Sequence, residues 1–86
     1  MTREQVFEAL HAVIDDLESG KLEAGSWREH YVASAIGLLA SGCYGSAARH
    51  AAQARTVHGI HTPAAEAKVL RLGLYAVSKM SIPRRQ

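Results

Sequence analysis

A single cysteine, Cys43, leaves this 86-residue chain no means of closing an internal disulfide. Domains this small rarely stabilise themselves on a core alone, so helix packing, oligomerisation or a partner must contribute. Charge is missing from Tyr31 to Ala48, a run that approaches the length of a membrane span. Three glycines and three serines interrupt it and Gly42 breaks its middle, so no span is expected. The opening Met1–Gln5 lacks a basic segment followed by an apolar one, so no signal peptide is expected, and the compartment expected is the cytoplasm. No alternating run bounded by turn residues suggests a strand. No catalytic, metal or cofactor signature stands out, so neither an enzyme nor a bound cofactor is expected.

Apolar residues make up 48% of the chain and charged residues 21%. That balance suits one folded domain over residues 1–80 and excludes the charge-rich, apolar-poor class of disordered chains. The charges are segregated. Residues 1–30 hold a net −4 and residues 31–86 a net +6, so the overall +2 conceals a dipolar molecule whose C-terminal half is strongly basic.

Punctuation divides the chain into four helices, giving an all-α fold. The first runs from about Arg3 to Ser19. Thr2 and Gln5 suit a capping box, and Gly20 suits a C-terminal stop. Val6, Phe7, Leu10, Val13, Ile14 and Leu17 keep the i, i+3, i+4 rhythm of one buried stripe. The second helix, about Trp27 to Ser41, has Ser26 and Glu29 as a second capping box. Its apolar stripe is Trp27, Tyr31, Ala35, Leu38 and Leu39, widened by Val32 and Ile36, with small Ala33, Gly37 and Ala40 behind. Such a helix is expected to be contacted from more than one direction. The third, about Tyr44 to Val57 with Gly59 as its stop, is lined by Ala47, Ala48, Ala51, Ala52 and Ala54, while Ser46, Arg49, His50 and Gln53 face solvent. A helix this thin lets its neighbours approach closely, and those neighbours are expected to be the second and fourth helices. The fourth runs from about Pro63 to Met80, with Thr62 as N-cap and Pro63 at the first helical position. Its apolar arc is unusually wide. Residues 81–86 form a basic tail that cannot stay helical through Pro83.

The pattern Gly42-x-Tyr44-x-x-Ala47-x-x-x-Ala51-x-x-Ala54 resembles the second half of a tetratricopeptide repeat. The resemblance covers residues 27–57. It implies that the second and third helices form a hairpin on which the fourth stacks. Two packed hairpins, repeat-like or bundled, are therefore expected. What the family resemblance implies about function is protein or peptide binding.

Several residues invite chemistry. His58 and His61, with His50 upstream, hint at a metal, but no cysteine or carboxylate cluster accompanies them. Cys43 precedes a helix N-terminus, which favours a thiolate. His50, seven residues on, is about 10 Å away along the axis, too far to serve as its base. Lys68, Arg71, Tyr75 and Lys79 fall on one face of the last helix, followed by Arg84 and Arg85. This basic stripe suits an acidic protein or, as the second alternative, nucleic acid. Four short helices cannot hide every apolar group, so Val69, Leu72 and Ala76 are expected to form an exposed strip of the kind that marks interfaces. The function expected is a small protein-interaction module, an adaptor, regulator or chaperone-like domain that self-associates as a homodimer. A nucleic-acid-associated regulator using the basic stripe is the alternative.

Overall fold

The structure, a computed structural model, describes residues 2–23, 26–57 and 65–80, without the side chains of Ser26, Ala65 and Glu66. Four helices account for most of them: α1 (Arg3–Ser19), α2 (Ser26–Ala40), α3 (Tyr44–Thr56) and α4 (Ala65–Ser78). No strand occurs among the described residues, and the helices pack as a small bundle.

Both ends of α1 and the close of α2 form where the sequence signals them. Gln5 N–H donates to the Thr2 hydroxyl at 3.2 Å, and Thr2 N–H donates to Gln5 Oε1 at 2.9 Å, completing the capping box of α1. Gly20 closes the helix with φ +84°, a backbone state that glycine alone adopts without a Cβ penalty. Gly42, at φ +80°, closes α2 in the same way. Its N–H donates to the Leu39 carbonyl at 3.0 Å, and the Cys43 N–H donates to Leu38 at 2.9 Å. This Schellman pair satisfies two carbonyls that the end of a helix would leave open. The Ser26 hydroxyl, Gly59, Thr62 and Pro63 lie outside the described residues.

The core forms from one stripe of each helix. Val6, Leu10, Val13, Ile14 and Leu17 of α1 meet Val32, Ala35, Ile36 and Leu39 of α2, Ala47, Ala51 and Ala54 of α3, and Ala67, Leu70, Leu74 and Val77 of α4. Trp27 is 58% exposed and lies outside this core, although helical spacing places it on the apolar side of α2.

The neighbours of α3 differ from expectation. It packs against α2 and α1, and it does not touch α4 among the described residues. α4 instead packs against α2 and α1 from the other side. The physical reason lies in α1, whose buried face is broad enough to serve both. Its Asp16 holds Arg55 of α3 at 2.8 Å, while Asp15 and Glu18 hold Arg71 of α4. α1 and α4 run antiparallel, since Arg3 lies beside the end of α4 and Asp15 beside Arg71.

Candidate functional site

Leu70, Leu74 and Val77 face the core, so helical geometry turns the opposite side of α4 outward. Val69 and Leu72 are 64% and 68% exposed, and Ala76, Tyr75 and Met80 are exposed with them. The residues expected to form an apolar strip thus lie together on the surface. The contacts of α4 fix how that surface is ordered. Arg71 faces α1, and Gly73 faces α2, where a Cβ built on it would lie 4.0 Å from Ile36 Cγ2. At about 100° per residue, Lys68 and Tyr75 fall on the α1 side of Leu72, and Val69 and Ala76 on the α2 side; Lys79, just past the helix, lies beside the Tyr75 ring.

The small residues of α2 extend this surface. Tyr31 of α2 faces α3, with its ring 5.9 Å from that of His50 and its hydroxyl 3.3 Å from Gln53 Nε2. Ile36 faces α4. Positions 33, 37 and 40 continue around α2 from Ile36, away from Tyr31. Ala33 and Gly37 are exposed and Ala40 is half-buried. A Cβ added at Gly37 would meet nothing within 4 Å. A low floor on α2 therefore runs beside the apolar row of α4.

The basic stripe is divided by the fold. Arg71 donates to Asp15 at 2.6 Å through Nη2 and to Glu18 at 2.7 Å through Nε. Hydrogen bonds to these two carboxylates, first Asp15 and then Glu18, raise its already high pKa further. Lys68 and Lys79 remain exposed, and Lys79 lies 5.0 Å from the centre of the Tyr75 ring. Among the described residues no carboxylate pairs with either lysine. Arg84 and Arg85 lie outside the described residues, as do His58 and His61.

A second feature runs along α2 and α3. Trp27 meets His30 edge-on, His30 meets Tyr31, and Tyr31 meets His50, with centroids 5.9, 5.7 and 5.9 Å apart. The His50 Nδ1 lies 2.8 Å from the Ser46 carbonyl within its own helix, so it donates there. Among the described residues no three His, Cys, Asp or Glu side chains gather to hold a metal. Two shallow clefts flank α3. One, about 290 Å³, is lined by Ala9, Val13, Ala48, Ala51, Ala52 and Arg55. The other, about 390 Å³ and wide open, is lined by Arg49, Ala52, Gln53 and Thr56. Neither gathers the convergent polar groups of a small-molecule site.

Two arginines whose roles were not expected hold the scaffold under these surfaces. Arg28 is 7% exposed. Its Nε donates to the Ala54 carbonyl at 2.7 Å, its Nη2 to Val57 at 2.7 Å and its Nη1 to Glu23. It caps α3, whose chain leaves the helix extended at Val57 instead of turning through a glycine. Arg3 does similar work for α4, with long bonds of 3.5 and 3.4 Å to the Ser78 and Met80 carbonyls and its guanidinium 4.8 Å from the centre of the Phe7 ring. One signal for Arg28 does exist in the sequence. It shares the i, i+4, i+7, i+11 face with Val32, Ala35 and Leu39.

No family model, curated protein or solved structure matches the chain. No helix among the described residues is long and apolar enough to cross a membrane.

Proposed function

We propose that the chain is a protein-interaction module whose working surface is the outer face of α4. The observation behind this is the row Val69, Leu72 and Ala76, all exposed on one side of a helix whose other side is committed to the core. Scattered surface leucines are ordinary; a row along one helix face rimmed by lysine and tyrosine is the pattern of an interface. The likeness of residues 27–57 to a tetratricopeptide hairpin points the same way. The nucleic-acid alternative has less support, because Arg71 is occupied by Asp15 and Glu18.

Leu72→Glu tests the proposal. Leu72 makes little contact with the core, so the variant keeps its helical signal and its stability to within about 0.5 kcal/mol. Its association, whether with a second copy in light scattering or with proteins recovered from its native cell, is abolished. Identical mass and identical recovered proteins for both chains would end the proposal.

A further inference from the structure

We infer that the outer face of α4 takes an acidic amphipathic helix, laid in the groove between α4 and α2 with its carboxylates toward Lys68 and Lys79. The inference rests on the interaction role proposed above and names the partner's chemistry.

Charge selects this occupant over a second copy of the strip. Antiparallel pairing of two α4 faces would set Lys68 against Lys79 of the other copy, and parallel pairing would set each lysine against itself. The described side chains of α4 include no carboxylate to relieve either arrangement. Like charges apposed across an interface oppose association, while complementary ones steer and orient it. Of the acids on the α1 stripe that borders α4, Asp15 and Glu18 are held by Arg71, and Glu4 and Glu8 pair with neither lysine among the described residues, so Lys68 and Lys79 keep their charge for a partner.

Shape selects the groove. Leu72 crowns α4, Val69 and Ala76 slope toward α2, and Ala33 and Gly37 leave the α2 side low. A helix resting there buries an apolar ridge against Val69, Leu72 and Ala76, and the small residues allow its backbone to approach. Its flank toward α1 then passes over both lysines. They stand eleven residues apart, about 16 Å along the axis, so acidic residues spread over three turns of the partner reach both.

The test uses the full chain and two synthetic helical peptides of about 18 residues. Both have leucine and alanine along one face; one has glutamates on the flank and the other lysines at the same positions. Fluorescence anisotropy is expected to show the glutamate peptide binding at least about tenfold more tightly, with the difference shrinking in high salt. Leu72→Glu abolishes binding. Gly37→Gln, which raises the floor without touching the core, weakens it. Lys68→Glu with Lys79→Glu reverses the preference, so that the lysine peptide now binds better. This reversal is an outcome that loss of fold cannot mimic.

Equal binding of the two peptides, or glutamate-peptide binding that survives Leu72→Glu, overturns the inference. If neither peptide binds but the chain runs as two copies that Leu72→Glu separates, the acidic helix is overturned while the interaction role stands. If neither peptide binds and the Leu72→Glu chain keeps the mass and the recovered proteins of the original, both fail.

Discussion

Among the described residues Arg28 is the buried charged side chain. Three carbonyls from two chain segments converge on one guanidinium that is nearly buried, where its planar fork satisfies the buried Ala54 carbonyl and the part-buried carbonyls of Val57 and Glu23. Arg28→Met is expected to cost about 2–4 kcal/mol, since it strands those acceptors. Arg28→Lys recovers only part, because an ammonium cannot span the same three oxygens. Urea unfolding followed by circular dichroism measures both. The glycines separate at the same scale. Gly42→Ala forces a Cβ into φ +80° and should lose about 1–2 kcal/mol. Gly37→Ala, in an open helical position, should gain about 0.5–1 kcal/mol. The roles of Gly42, Gly20 and Thr2 were legible in the sequence because turns and caps are local. The role of Arg28 was not, because Ala54 and Val57 reach it only once α3 has folded back over α2.

The alanines of α3 show what an element-level pattern can and cannot state. Ala47, Ala51 and Ala54 are buried as expected, whereas Ala52 is exposed. Replacing Ala47 by leucine should therefore cost about 1–3 kcal/mol through overpacking. The same change at Ala52 should stay within about 0.5 kcal/mol, and thermal melts of the pair make the comparison. A thin helix implies close neighbours but does not name them. α1 fills the place assigned to α4, because its buried stripe from Val6 to Leu17 packs against both flanks. For α4 the wide apolar arc was visible at once. The division into core-facing Leu70, Leu74 and Val77 and outward Val69, Leu72 and Ala76 became definite only when Arg71 and Gly73 fixed its rotation.

Across the whole molecule, the charge segregation turns back on itself. The acidic first helix binds Arg55 and Arg71 from the basic half, so the dipole expected from the linear sequence is partly neutralised within the fold. These pairs are half-exposed, and side chains in that setting contribute little. Arg55→Ala and Arg71→Ala should each cost no more than about 1 kcal/mol. Raising the salt concentration should barely move the urea midpoint, even as it weakens capture of an acidic partner by Lys68 and Lys79.

By itself the sequence determined the helices, the caps of α1 and the glycine turn that closes α2, and much of the apolar surface that had to be hidden, because those depend on residues within a few positions of one another. Only the tertiary structure decided which helices meet, which arginines are tied up inside, and which lysines stay outside. Those outcomes depend on oxygens and methyl groups brought together from segments far apart in the chain, and no local spacing records such meetings.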